Sequence, residues 1–336
     1  MALLEVKGLR TSFGFQPGEN LPVIDDVSFS LDAGRTLGVV GESGCGKSML
    51  ALSIIRLLPR AASIKSGSIS LAGVDLIGLR ERQLNAIRGR QIGVVFQDPT
   101  SSLNPTRRVG PQIAEVLTRH TDISRKAAVA RAAELLEEVK ISKAKQRLQA
   151  FPHELSGGMC QRVTIAMAIA CAPALIIADE PTTALDATIE SQVLALLDEL
   201  KAAHRMAMIL ISHDMRVVAH VADRVAVMYA GEFVEEAPTA ELFANPQHPY
   251  TEALLESVPR VDDPDARHQR LRTIPGYPPR LGRWNEGCRF AVRCPHAGKD
   301  ECAEVHPALR EVTPGHWART VHPRVTRERA AEVTNG

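Results

Sequence analysis

Residues 41–48 read GESGCGKS, a fit to G-x-x-x-x-G-K-[ST], between the β-branched run TLGVV (36–40) and the apolar, helix-patterned MLALSIIRLL (49–58). No other stretch limits the fold so tightly. A buried strand must feed a glycine-rich turn, and the turn must open a helix, so the chain is α/β with phosphate-binding geometry at a helix N-terminus. The glycines let backbone N–H groups turn inward and cradle phosphate oxygens. Lys47 would reach the outer phosphates, and the Ser48 hydroxyl would bind Mg²⁺.

A second buried strand, in PALIIADEP (173–181), ends on Asp179 and Glu180. An acidic pair after a strand is often only a loop or a helix cap. Downstream of a phosphate loop it gains a purpose: Asp179 to hold Mg²⁺, Glu180 to orient and deprotonate an attacking water. LSGGMCQR (155–162) supplies another helix start, with Ser156 as N-cap and Gly157 and Gly158 exposing backbone N–H groups.

The rest of the chain frames these motifs. LLEVKGLRTSF and VIDDVSFSL alternate as strands, and Ile92 to Phe96 is a further strand. GPQIAEVLTRH, SRKAAVARAAELLEEV and ATIESQVLALLDELKAAH carry helical spacing. MAMILISHD is a third buried strand, and RVAVMYAGEFVEEA reads as a closing hairpin. After about residue 236 the texture becomes proline-rich and loop-like, with one short helix in NPQHPYTEALLESVPR.

Composition excludes several classes. Net charge is +1 and aromatics are 4%, which argues against a nucleic-acid-binding role. No run approaches the roughly 18 apolar residues of a membrane span, and MALLEVKGLR carries Glu5 where a signal peptide would be uncharged. The expectation is a cytosolic chain that reaches a membrane only through partners.

GESGCGKS, LSGGM, LIIADEP and ISHD, in that order, resemble the ATP-binding cassette (ABC) ATPases. The resemblance implies a P-loop NTPase (RecA-like) core with an N-terminal antiparallel β subdomain, a helical signature subdomain and a C-terminal Cys-containing extension. It places the core at 1–97 and 166–236, the helical subdomain at 98–165 and the extension at 237–336. It assigns ATP to Gly41, Glu42, Ser43, Gly44, Cys45, Gly46, Lys47, Ser48 and Met49. Phe13 matches the aromatic that stacks on adenine, with Phe15 as the alternative. Gln97 matches the family's Q-loop, Asp186 its D-loop and His213 its switch histidine, so Glu180, His213 and Gln97 are the catalytic set and Ser48, Gln97 and Asp179 the Mg²⁺ set. Leu155, Ser156, Gly157, Gly158 and Met159 would serve the ATP of a second cassette docked head to tail. Met159 stands where Gln is commoner, and Cys160 where this subgroup usually has Arg.

FQDPTSSLNP, PHELSGGMCQR, NPQHPYTEALL and IPGYPP narrow the resemblance to ATPase subunits of oligopeptide/dipeptide/nickel importers, and KSMLALSIIRLLP, IRGRQIGVVFQDP and IAMAIA look more like the first of the two paired ATPases. It implies ATP hydrolysis coupled to peptide uptake, or to nickel, glutathione or opine uptake. The implied partners are a second homologous ATPase or a second copy, two transmembrane permeases and an extracytoplasmic solute-binding protein. The implied location is peripheral, on the cytoplasmic face of the cell membrane. A different class, a non-transport cassette ATPase with an iron–sulfur or redox tail, stays open beside it.

That tail is GCRFAVRCPHAGKDEC, with Cys288, Cys294 and Cys302. Relatives often show four cysteines there, reported to hold an iron–sulfur cluster, and the fourth would fall at about Thr320. Thr is a poor ligand for such a cluster. His316 or His322 as substitute ligand, a zinc site, and a metal-free relic with free thiols are the competing readings.

Overall fold

The computed structural model describes residues 2–16, 20–183, 185–257, 273–282, 284, 286–296, 301–321 and 323. Strands β1 (Leu4–Phe13), β2 (Leu21–Leu31) and β3 (Thr36–Val40) lead into helix α1 (Lys47–Ile54). Next come β4 (Ala62–Leu71), β5 (Val74–Asp75), α2 (Glu81–Ile87) and β6 (Ile92–Val95). A helical stretch follows: α3 (Pro99–Ser102), α4 (Val109–His120), α5 (Arg125–Glu138), α6 (Ala144–Arg147) and α7 (Gly157–Ile169). The chain continues through β7 (Leu175–Asp179), α8 (Ala187–His204), β8 (Ala207–Ser212), α9 (Met215–Val221), β9 (Arg224–Tyr229) and β10 (Glu232–Pro238). The C-terminal part adds α10 (Thr239–Ala244), α11 (Pro249–Glu256), α12 (Glu301–Glu304), β11 (Arg310–Thr313) and β12 (His316–Ala318).

Contacts divide the chain into two compact units: Met1–Glu5, Ser30–Thr36 and Ile69–Ile211 in the first, Val6–Phe29, Leu37–Ser68 and Ser212–Gly336 in the second. In the first unit β6, β7 and β8 run parallel, with Ile92 opposite Leu175 and Leu175 opposite Ala207. Every residue of β7 and β8 is buried, which is why both read as unbroken apolar runs. Helix α7 crosses β6 so closely that a Cβ on Gly93 would sit 2.3 Å from the Ala168 carbonyl oxygen. Helices α4, α5 and α7 pack on one another, and Ile113, Leu117, Leu135, Leu136 and Val163 on them are buried.

In the second unit β3 pairs in parallel with β9, Leu37 opposite Arg224, and β9 turns back into β10. The closing hairpin is therefore present, but β10 is not a sheet edge. The extension adds β12 antiparallel to β10, and β11 to β12. This cover buries three carboxylates that a strand written GEFVEEA would be expected to expose: Glu232, Glu235 and Glu236. Each has a partner. Glu235 accepts from the Gln247 and His248 backbone N–H groups at 2.7 and 2.8 Å and lies 2.7 Å from His316 Nε2. Glu236 pairs with Arg224, and Glu232 lies 3.1 Å from His306.

The apolar core of this unit unites Val40, Val225, Val227 and Tyr229 with Tyr250 and Phe290 of the extension. The Tyr229 and Tyr250 rings lie 4.6 Å apart, and Phe290 meets Tyr229 edge-on at 5.3 Å. Helix α1 stops at Ile54, short of the expected Pro59. Arg56 takes a left-handed φ of 52°, and Leu57 N–H donates to the Leu52 carbonyl at 2.9 Å, the 6→1 closure that ends a helix.

Candidate functional site

Strand β3 delivers the loop 41–46, and α1 starts at Lys47. Gly41 is forced by crowding: a Cβ there would lie 2.2 Å from the Met228 carbonyl oxygen. Gly44 and Gly46 turn at φ 80° and 114°. The Lys47 ammonium is folded back over the loop and donates to the carbonyls of Gly41 at 2.7 Å and Glu42 at 3.1 Å. A buried cation, 5% exposed, is thereby fixed at the mouth of a glycine turn. Cys45 faces inward, and burial pushes its thiol up. Ser43, Gly44 and Ser48 are on the exposed side of the loop.

In the first unit, Asp179 ends β7 and is buried, while Glu180 leaves the strand with a left-handed φ of 45°. Such a conformation in a non-glycine residue at a strand end is typical of functional positions. The Glu180 Oε2 accepts from Gln97 Nε2 and from the Thr183 hydroxyl, each at 2.9 Å. Gln97 follows β6, so two adjacent parallel strands bring the amide and the carboxylate together. Thr183 had no expected role; the doubled threonine after ADEP was its only signal.

The Ser156 hydroxyl caps α7, accepting from Met159 N–H at 3.3 Å. Asp186 caps α8 in the same way, accepting from Ile189 N–H at 2.9 Å. The two helix starts touch: a Cβ on Gly158 would meet Ile189 Cγ2 at 2.8 Å. Arg162 ties α7 to the Val139 carbonyl at 2.9 Å and to Gln192 of α8 at 3.2 Å. Cys160, the departure from Arg, is buried with its thiol 3.5 Å from the Pro152 carbonyl. His213 is exposed in the step from β8 to α9, beside Asp214, the N-cap of α9.

Phe13 and Phe15 stack on each other, nearly parallel, with centroids 5.6 Å apart. Phe13 is half-buried and Phe15 is 66% exposed. The two rings are one aromatic patch, so neither is singled out.

Cys288, Cys294 and Cys302 line a single pocket, and Thr320 lines it too, where the fourth cysteine was expected. Burial pushes the Cys288 thiol up to about 11, with Cys302 and Cys294 adding to the rise. His316 is not in this pocket; it is buried in β12 with Nε2 on Glu235, which removes it as a substitute ligand. His322 lies outside the described residues. His248 and His296 line the pocket instead, but the His248 Nδ1 accepts from Tyr250 N–H at 3.0 Å. Among the described residues no group of three or more His, Cys, Asp or Glu side chains is arranged to hold a metal ion. Three thiols and a hydroxyl do not fit a four-thiolate cluster.

The same extension reaches the phosphate loop. The Tyr250 hydroxyl accepts from Glu42 N–H at 2.9 Å, and Arg293, between two of the cysteines, grips the Glu42 carboxylate with both terminal nitrogens at 2.6 and 2.9 Å. Neither residue stood out from the sequence as part of the site. Tyr250 belongs to the HPY run, and Arg293 to a segment that draws the eye to its cysteines.

Comparison with known proteins gives the chain its relatives. Residues 24–183 match the ABC transporter family model, and residues 234–302 match the oligopeptide/dipeptide transporter C-terminal region. The chain is 47% identical over 322 residues to the oligopeptide transport ATP-binding protein OppD of Escherichia coli, covering 96% of this chain and 94% of that protein. Its identity to OppD of Bacillus subtilis is 48% over 324 residues, covering 96% and 89%. Among solved structures, the dimeric ATP-binding cassette MJ0796 bound to ADP and Pi matches with a TM-score of 0.63 at 26% identity, over 70% of this chain and 98% of that one.

Proposed function

Since this chain belongs to the oligopeptide transport family of ABC transporter ATP-binding proteins, we propose that it binds and hydrolyses ATP to drive peptide uptake through membrane permeases. The observation that carries the reading is the Glu180 carboxylate, held by Gln97 and Thr183 directly after a buried acidic strand end. It is an acceptor held in place by both neighbours.

In this reading Gly41 to Met49 cradle the phosphates, with Lys47 leaving its carbonyl partners for phosphate oxygens. Water attacks the γ-phosphorus, Glu180 takes the water's proton, and the bond to ADP breaks. His213 stabilises the attacked phosphate, and Phe13 or Phe15 stacks on adenine. Ser48, Gln97 and Asp179 are hard oxygen donors suited to Mg²⁺, which supplies charge neutralisation on the phosphates. Leu155 to Met159 serve the nucleotide of a second cassette, a homologous ATPase or a second copy, and Asp186 fixes the helix beside them. Residues 98–165 dock the permeases, and Gln97 relays the nucleotide state to them. An extracytoplasmic solute-binding protein delivers the peptide. Among the described residues no helix is long and apolar enough to cross a membrane, so membrane location would come from the permeases.

The test is Glu180→Gln in the assembled transporter. ATP binding is expected to persist with the cassettes trapped closed, and turnover to fall by about a hundredfold or more. Undiminished ATP turnover would remove Glu180 as the base.

A further inference from the structure

We propose that Arg293 is a positioning residue for ATP, acting from the C-terminal extension through Glu42 of the phosphate loop. The inference rests on the loop 41–48 being the ATP site. Glu42 is held on two sides. Its backbone N–H donates to the Tyr250 hydroxyl at 2.9 Å, so the loop's direction after Gly41 is braced by the extension. Its carboxylate receives the Arg293 guanidinium in a fork, at 2.6 and 2.9 Å. Arg293 is itself immobilised: its side chain is 4% exposed, and its Nε donates to the Pro275 carbonyl at 2.8 Å.

The charge arithmetic gives the pair a purpose. A carboxylate at the second position of a phosphate loop repels the anion that the loop exists to bind. Arg293 neutralises it while fixing its rotamer, and Lys47 is left to serve the loop mouth, where it donates to the Glu42 carbonyl at 3.1 Å. One residue of the loop thus carries contacts from the extension at its N–H and side chain and from Lys47 at its C=O. Pre-organisation of this kind acts on nucleotide affinity, not on the chemical step. The short helix Ala291–Arg293 that presents the guanidinium lies between Cys288 and Cys294, so the thiol pocket and the loop share one support.

The experiment is ATP titration calorimetry on the full chain, with turnover measured in the assembled transporter. Arg293→Gln is expected to weaken ATP binding by about tenfold, because Glu42 is left unpaired beside the phosphates, with turnover at saturating ATP within about twofold of the parent. Glu42→Gln in the Arg293→Gln background is expected to recover most of that affinity, since the repelling charge is gone. A role limited to packing the extension would give no such rescue. Unchanged affinity in Arg293→Gln, or a double variant no better than the single one, overturns the proposal. Should Arg293→Gln fail to fold, Arg293→Lys and Tyr250→Phe decide: each is expected to weaken ATP binding several-fold, and normal affinity in both overturns it. Lys47→Ala separates the two levels. If it leaves ATP binding intact, the loop assignment fails; if it abolishes binding while Arg293→Gln changes nothing, only the role of Arg293 fails.

Discussion

Cys288 shows what burial does to a residue whose type suggests reactivity. Its thiol is pushed up to about 11, mainly by desolvation. At pH 8 only about one molecule in a thousand carries the thiolate there, and the thiolate is the nucleophile. Cys288 is therefore expected to alkylate with iodoacetamide far more slowly at pH 8 than a free peptide cysteine, with the rate climbing as pH approaches 11. Peptide mapping of the modified chain reads this directly; fast modification at pH 8 would show an open or ligand-activated thiol. At this scale Lys47 was expected from the spacing of the phosphate loop, Glu180 from an acidic strand end downstream of it, and Gln97 from the resemblance of VVFQDP to a family loop. Arg293 was not, since its partner Glu42 lies at the other end of the chain and only the fold brings the two charges together.

Gly93 shows how closely an element can approach another. With the Ala168 carbonyl oxygen 2.3 Å from where a Cβ would be, Gly93→Ala forces β6 and α7 apart. The expected cost is about 1–3 kcal/mol of stability, seen as a fall in Tm. An unchanged Tm would mean that the helix has room to give. The elements themselves were largely readable. Helix α8 spans the residues its apolar spacing indicated, and β7 and β8 are the expected buried runs. The failures have local causes. Helix α1 ends early because Arg56 adopts a left-handed turn that no glycine or asparagine announces. Strand β4, ASIKSGSISL, went unread because serine and lysine interrupt its apolar alternation. Strands β11 and β12 are short and gain their stability from pairing with β10 and each other, which no local pattern encodes.

For the molecule as a whole, the extension is not an appendage. Its Tyr250 and Phe290 share a core with Val40, Val225 and Val227, and its β12 covers β10. A chain ending at residue 257 is expected to lose both solubility and ATP binding, because the truncation uncovers that strand and leaves Glu235 without His316 and Glu232 without Arg289, His306 and Arg319. Sedimentation and ATP titration of the truncated chain test this; a soluble chain of parental ATP affinity would make the extension dispensable. The sequence marked a change of texture after residue 236, which suggested a boundary between separable parts. Texture reports composition, and two buried glutamates, Glu232 and Glu235, with basic partners further along do not alter it.

The buried Glu235–His316 contact joins strands separated by eighty-one residues of chain, and neither side chain meets solvent. During synthesis β10 emerges well before the histidine that satisfies it. The Glu235 site of the nascent chain is therefore incomplete until His316 has left the ribosome. For anyone recombining cassettes between transporters, the usable junction lies beyond β12, not at the end of the sequence motifs.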